Sequence, residues 1–144
     1  MRQLRYPYAS TGSAKLLAVF FVVAGSLHFL WPQAYARIVP PWVPLPLVMV
    51  WLSGACEIAG GLGVLEARWQ RLAGLGLIAL SLAVFPANVQ MLLNAQAAHA
   101  SPVAQTLLWL RLPMQLPLIY WIWRTTLARA TRPALQGMDM RMDR

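Results

Sequence analysis

The chain alternates between long apolar runs and short connections that are polar or rich in proline. The apolar runs cover residues 14–31, 46–65, 72–93 and 105–123. Each run is close to the roughly 20 residues that an α-helix needs to cross the hydrocarbon core of a bilayer. Backbone polar groups inside a bilayer must be satisfied within their own segment, which favours helices. The pattern therefore predicts an all-α membrane protein, a four-helix bundle formed by one domain over residues 1–144.

Proline has different roles inside the apolar runs and between them. Pro86, Pro113 and Pro117 lie inside the third and fourth runs. There we expect kinks and not helix ends, because packed neighbours can satisfy the freed carbonyl groups. The first connection, residues 32–45, is rich in proline and carries aromatic residues that suit the headgroup layer. We expect it to form a stiff lid with one short helical turn near residues 33–38.

The composition supports a membrane location. The chain is 59% hydrophobic and 11% charged, whereas a soluble domain carries about 25% charged residues. A chain of this size has too little interior to hide so much apolar surface. The first run could instead be a cleaved signal peptide, since residues 34–36 have the small-x-small form of a cleavage site. However, the run is long for a signal peptide and ends in aromatic residues, which favours a retained span.

The basic residues are distributed unevenly about the predicted spans. The side opposite the lid holds Arg2, Arg5, Lys15, Arg68, Arg71, Arg124, Arg129, Arg132, Arg141 and Arg144. The lid side holds Arg37, and Arg111 lies inside the fourth span. Because Lys and Arg concentrate on the cytoplasmic side of membranes, we expect both termini in the cytoplasm, including the basic tail 125–144. The net charge of +8 suits lipid headgroups and does not indicate nucleic-acid binding, since no basic groove-binding element is present.

The candidate site consists of strongly polar side chains inside the predicted spans. They are His28, Glu57, Asn88, Arg111 and Gln115. Such groups are costly at membrane depth unless they are paired or hydrated, so each is a candidate for function. With a rise of about 1.5 Å per residue, every helix places its key polar residue in the outer half of the membrane. The sequence therefore predicts an outward-facing pocket in which these five residues bind a ligand.

Glu57 and Arg111 form the predicted ion pair, because a charge at that depth needs an opposite charge beside it. In the pocket, Arg111 would bind an anion or a polarised carbonyl, while Glu57 or His28 would handle a proton. The sequence is equally compatible with two structural roles. The pair, with Asn88 and Gln115, could serve only as packing contacts between helices, and His28 could bond only to a backbone carbonyl. No catalytic residue is assigned.

Metal and disulfide chemistry are not predicted. Cys56 is the single cysteine, so the chain forms no internal disulfide. His28 has no second ligand three or four residues away on its helix, which argues against a metal site. A second axial histidine within a span is also missing, which argues against haem.

Four motifs in order resemble the DoxX family of small bacterial membrane proteins. They are AGSLHFLWPQAYARIVPPWVP, WLSGACEIAGGLGVL, GLIALSLAVFPANVQM and WLRLPMQLPLIYWIW. The resemblance covers about residues 18–123 and implies a multi-pass protein of the bacterial inner membrane. The polar positions of the family fall on His28, Glu57, Asn88 and Arg111. The resemblance also implies a redox association, with quinone as the possible cofactor and a membrane or redox complex as the partner.

Three functions are open at this point, besides a small-molecule isomerase, which only the four-helix membrane architecture suggests. The first is a quinone-linked subunit that binds a small polar-headed molecule in the outer pocket, among Trp51, Trp109 and Trp121. The second is a small-solute permease or efflux component, which needs a path through the almost purely apolar inner half of the spans. The third is a structural partner of a membrane complex, or of a second copy of the chain, with no ligand of its own.

Overall fold

The computed structural model of the protein describes residues 12–128, and this part of the chain is all-α without strands. Its helices are α1 (Gly12–Leu30), α2 (Pro32–Ala36), α3 (Pro46–Gly63), α4 (Gln70–Ala97) and α5 (Pro102–Thr126). The four predicted spans fall on the long helices α1, α3, α4 and α5. The short helical turn expected in the lid is α2.

The helix ends follow from capping residues and turn geometry. Helices α2, α3 and α5 begin with a proline. Proline is favourable there because the N–H of the first helical residue has no partner within the helix, so its absence costs no hydrogen bond. The Ser101 side chain caps α5 by accepting a hydrogen bond from the Ala104 N–H at 3.3 Å. Helix α4 continues to Ala97, past the predicted end at residue 93, because alanine and glutamine are good helix formers. The connection then turns through His99, whose φ is 49°.

Helices α1, α3 and α4 are long and apolar enough to cross a membrane. Within the most apolar windows of these helices, only 28%, 17% and 17% of the residues are buried. So much exposed apolar surface suits lipid and not water, which indicates a membrane protein. Helix α5 has 25 residues, enough to span, but Arg111 and its interior prolines make it less apolar. The predicted fourth span is therefore a long helix, but it is not among the helices that are apolar enough to cross a membrane by composition.

The four long helices pack as two pairs, α1 with α3 and α4 with α5. In the first pair the helices meet at Gly25 and Gly54. A Cβ atom built on Gly25 would lie 2.6 Å from the Gly54 carbonyl oxygen, and one built on Gly54 would lie 2.7 Å from the Cβ of His28. Small residues allow helix backbones to approach this closely in a membrane. Gly54 and Gly25 thus lie at the closest approach of α1 and α3.

The two pairs are joined at the end of the molecule where α1 begins and α5 ends, here called the closed end. The Ser13 and Thr125 hydroxyl oxygens lie 2.8 Å apart, and the Trp121 indole N–H donates to the Ser13 hydroxyl at 2.9 Å. Gly60 of α3 receives the Leu77 side chain of α4. The apolar core lies at this end and consists of Ala14, Leu17, Phe21, Val64, Leu77 and Ile122.

The opposite end, here called the lid end, is bridged by the lid, residues 32–45. The Asn94 side-chain amide at the end of α4 donates to the Arg37 carbonyl oxygen at 2.9 Å. Helix α2 packs on α3 and, to a smaller extent, on α1. The lid therefore connects both helix pairs and covers the space between them.

Part of the predicted charge pattern falls outside the described residues. This applies to Arg2, Arg5, Arg129, Arg132, Arg141 and Arg144 and to most of the tail 125–144.

Candidate functional site

A cavity of about 1060 Å³ lies between the two helix pairs and under the lid. It is lined by residues of all four long helices and of the lid, most of them apolar. The structure brings together all five predicted site residues on its walls: His28, Glu57, Asn88, Arg111 and Gln115. Ligand pockets in proteins usually enclose about 300–1,000 Å³. The cavity is therefore large enough for a molecule with a polar head and an apolar body.

The wall made by α1, α3 and the lid carries His28 and Glu57. The His28 Nδ1 atom lies 3.0 Å from the Ala24 carbonyl oxygen and 3.4 Å from Glu57 Oε2. The shorter distance assigns the Nδ1–H to Ala24, so in the neutral ring Nε2 is the acceptor. The 3.4 Å approach is then an electrostatic contact and not a hydrogen bond. Consistently, Glu57 Oε2 is buried and has no hydrogen-bond partner among residues 12–128.

The wall made by α4 and α5 carries a chain of hydrogen bonds. The Arg111 Nε–H donates to Asn88 Oδ1 at 3.2 Å, and Asn88 Nδ2 donates to Gln115 Oε1 at 3.2 Å. Gln115 Nε2 donates to the Ser81 carbonyl oxygen. Arginine can only donate and a carbonyl can only accept, so the two ends of the chain fix both amide orientations. The chain orients Arg111 and fastens α5 to α4.

The predicted ion pair between Glu57 and Arg111 does not form. Glu57 lies on α3 and Arg111 on α5, and these two helices do not contact each other. The cavity separates the two walls, so each charge contacts a group on its own wall, His28 for Glu57 and Asn88 for Arg111. Sequence spacing gives the depth of a charge along its helix but not which helices are neighbours. The pair was expected on depth alone.

Tyr35 of the lid lines the cavity and was not among the predicted site residues. Its ring stacks on the His28 ring, with centroids 4.0 Å apart and planes 26° apart. Burial raises the pKa of the Tyr35 phenol, the negative charge of Glu57 raises it further, and the positive charge of Arg111 lowers it. Tyr35 thus lies within electrostatic reach of both walls. The sequence signal for this role was the position of Tyr35 in the proline-rich segment that follows the helix of His28.

The predicted aromatic lining is partly wrong. Trp121 lines the cavity, whereas Trp51 and Trp109 do not and are exposed on the outer surface. Tryptophan also suits a lipid-facing surface, so its presence in a membrane span does not show that it faces the inside of the bundle. Cys56, next to Glu57 in the chain, does line the cavity. Within the described part of the chain, no three His, Cys, Asp or Glu residues come together as metal ligands.

A protein-family model described as a domain of unknown function, DUF8561, matches residues 17–126. The chain belongs to the DUF8561 family. The predicted DoxX resemblance was wrong, since DUF8561 is the family that matches and DoxX is not found. No curated protein and no solved structure matches the chain.

The error has a physical source. The bilayer imposes the same features on many unrelated membrane proteins: apolar helices, a few polar residues that face inward, and small residues at helix contacts. Motifs built from these features are therefore weak evidence for a particular family. The redox association rested on DoxX and loses its support. The DUF8561 match includes all five predicted site residues and Tyr35.

Proposed function

We propose that this DUF8561 chain forms a four-helix membrane bundle that crosses the bilayer four times, with both termini in the cytoplasm. The described residues Lys15, Arg68, Arg71 and Arg124 lie at the closed end, while Arg37 lies in the lid. This distribution supports a cytoplasmic closed end. Helix α5 lies along α4 and supplies the fourth crossing. Placement in a bacterial inner membrane stays a prediction.

The function that the site supports best is the binding of a small amphipathic molecule in the cavity. One observation carries this proposal: polar groups on both walls of an otherwise apolar cavity have unused hydrogen-bonding capacity. Glu57 Oε2 is buried without a hydrogen-bond partner among the described residues. Arg111 has five N–H donors, and the hydrogen bond found for it uses only Nε–H. Buried polar groups are normally satisfied, so the unpartnered Glu57 Oε2 in the cavity wall favours a ligand. Arg111 is exposed, and its remaining donors are open to the same ligand.

A purely structural role for the polar cluster is less well supported. Polar contacts that only fasten helices pair with each other, as Asn88 and Gln115 do across α4 and α5. Glu57 and Arg111 face the cavity from opposite walls instead. A permease role would require a path through the closed end. There Leu17, Leu77 and Ile122 are 0%, 1% and 0% exposed.

The proposal is tested by filling the cavity. Ala87 of α4 lines the cavity, whereas Ala79, on the same helix, is exposed outside it. Ala87→Phe should remove space for a ligand, and Ala79→Phe is the matched control because it adds the same side chain on the outer surface. Thermal unfolding is measured in bilayer nanodiscs with added dodecanoate, monolaurin or lysophosphatidylethanolamine.

Wild type and Ala79→Phe should be stabilised by at least one of these amphiphiles, and Ala87→Phe by none. A ligand at 100 times its Kd stabilises the folded state by about 2.7 kcal/mol, which a thermal shift resolves. Equal stabilisation of Ala87→Phe and wild type would place the ligand outside the cavity. No stabilisation of any of the three proteins would count against a binding function.

A further inference from the structure

We propose that the molecule bound in the cavity has a zwitterionic head, with its anionic group held by Arg111 and its primary ammonium group held by Glu57. This inference rests on the proposed binding function and names the class of ligand. The shared chemistry is that of phosphoethanolamine, whether it belongs to a lipid headgroup or to a free solute.

Arg111 supplies the anion-binding half of the site. Its Nε–H is held by Asn88 Oδ1 at 3.2 Å, and Asn88 is held in turn by Gln115 at 3.2 Å. The guanidinium plane is therefore oriented, while no hydrogen bond to the terminal Nη groups is found within residues 12–128. An oriented guanidinium with free N–H groups matches two oxygens of a phosphate or carboxylate.

Glu57 supplies the cation-binding half. Its Oε2 atom is buried and lacks a hydrogen-bond partner among the described residues. The neighbouring His28 donates its Nδ1–H to Ala24, so it offers Glu57 no hydrogen bond in this geometry. An ammonium group with N–H donors would satisfy that carboxylate oxygen, and the His28 Nε2 atom would be a second acceptor.

The opposite charges stand on opposite walls of one cavity. A ligand with only an anionic head would pair Arg111 and leave Glu57 without a counter-charge, and a purely cationic ligand would do the reverse. Glu57 Oε2 is buried, where an unpaired charge is unfavourable, while Arg111 is exposed and open to an anion. A head that carries both charges therefore fits both walls at once. The apolar lining, including Phe21, Val84 and Leu118, suits an attached acyl chain.

The experiment compares three single-chain lipids with the same acyl chain and different heads. Lysophosphatidylethanolamine has an ammonium group with N–H donors. Lysophosphatidylcholine keeps the positive charge but has no N–H, and lysophosphatidylglycerol has no positive charge. Binding to the full chain is measured by native mass spectrometry from nanodiscs. A charge-assisted hydrogen bond is strong enough that the ethanolamine head should bind about tenfold more tightly than either of the others.

Variants assign each half of the head to its wall. Glu57→Gln should reduce the preference for the ethanolamine head to less than about twofold, since the carboxylate charge is gone. Arg111→Gln should weaken all three lipids about tenfold, because all three carry the phosphate. Arg124→Gln is the matched control, since Arg124 lies on the same helix at the closed end and donates to Tyr120. It should leave all three affinities unchanged.

The source of the head is tested with free O-phosphoethanolamine. If the free compound displaces lysophosphatidylethanolamine at equal concentration, the bound phosphoethanolamine group belongs to a soluble molecule. If displacement requires a much higher concentration, the group belongs to a lipid.

Equal affinity for the three heads, abolished by Ala87→Phe, would overturn this inference and leave the proposed binding function intact. If no amphiphile bound at all, both would fail. A Glu57→Gln protein that kept the tenfold preference would also overturn the inference. Should Arg111→Gln fail to fold, the three heads on wild type and Glu57→Gln still decide the outcome.

Discussion

The close contact between α1 and α3 gives a sharp prediction about Gly54. This residue of α3 packs against α1 at the position of His28 and Gly25. A Cβ atom at Gly54 would lie 2.7 Å from the His28 Cβ, 2.8 Å from the Gly25 carbonyl oxygen and 3.0 Å from Phe29 Cε2. Gly54→Ala therefore forces α1 and α3 apart. Gly76→Ala on α4 is the matched control, because nothing lies within 4 Å of its new Cβ.

The expected magnitude follows from two opposing terms. Replacing glycine by alanine inside a helix stabilises it by about 0.8–1 kcal/mol, and both variants gain this. Overpacking a close contact costs about 1–3 kcal/mol, and only Gly54→Ala bears this cost, since ordinary contacts lie at 3.4–4 Å. We therefore expect Gly76→Ala to be more stable than wild type. Gly54→Ala should have an unfolding free energy about 1–3 kcal/mol below that of Gly76→Ala.

The assay is reversible unfolding by SDS titration in mixed micelles, followed by circular dichroism, for wild type and both variants. A second measurement is ligand binding, because the contact at Gly54 also sets the position of His28 beside Glu57. Gly54→Ala should weaken binding, and Gly76→Ala should not. If the two alanine variants changed the unfolding free energy equally and in the same direction, the close approach of α1 and α3 would be refuted.

Three further predictions concern the two walls and the lid. A double-mutant cycle on Asn88→Ala and Gln115→Ala should give a coupling free energy of about 0.6–1.7 kcal/mol, and zero coupling would contradict their hydrogen bond. Asn94→Ala should loosen the lid, because the Arg37 carbonyl oxygen loses its hydrogen bond, and should speed amide hydrogen exchange in residues 33–39; an unchanged exchange rate would show that Asn94 does not hold the lid. Because the pKa of Tyr35 is raised from 10.0 in the folded protein, the folded state holds this proton more tightly than the unfolded chain. The unfolding free energy should fall as pH rises above about 10, and less steeply in Tyr35→Phe; identical pH profiles would contradict this.

Much of the fold could be predicted from the sequence because the bilayer constrains it strongly. Apolar runs of the right length place the long helices, and proline and serine place several helix starts. The end of α4 was harder to predict, because residues 94–97 are too polar to extend an apolar run yet are good helix formers. Gly54 and Gly25 were identifiable as contact residues, since small side chains at helical spacing have few other uses in a membrane span.

The site was predictable in its members but not in its pairing. Polar residues inside apolar spans are few, so His28, Glu57, Asn88, Arg111 and Gln115 could be found one by one. Their partners depend on which helices are neighbours. Contact between α1 and α3 and between α4 and α5 gives the two pairs of helices, and short connections alone would equally allow α3 to face α5. The expected Glu57 and Arg111 pair failed for this reason.

The two ends of the molecule limit what the cavity can do. The polar side chains on its walls extend inward as far as Ser81 and Gln115, and the buried side chains of Leu17, Leu77 and Ile122 fill the closed end beyond them. A polar head that reached this core would lose every hydrogen bond that the walls offer, so the core is a barrier as well as a packing element. A ligand held by Glu57 and Arg111 must therefore enter and leave on the lid side of the core. This geometry suits the proposed binding of an amphipathic molecule better than transport, because a transport cycle would first have to separate α3 from α4 at Gly60 and Leu77.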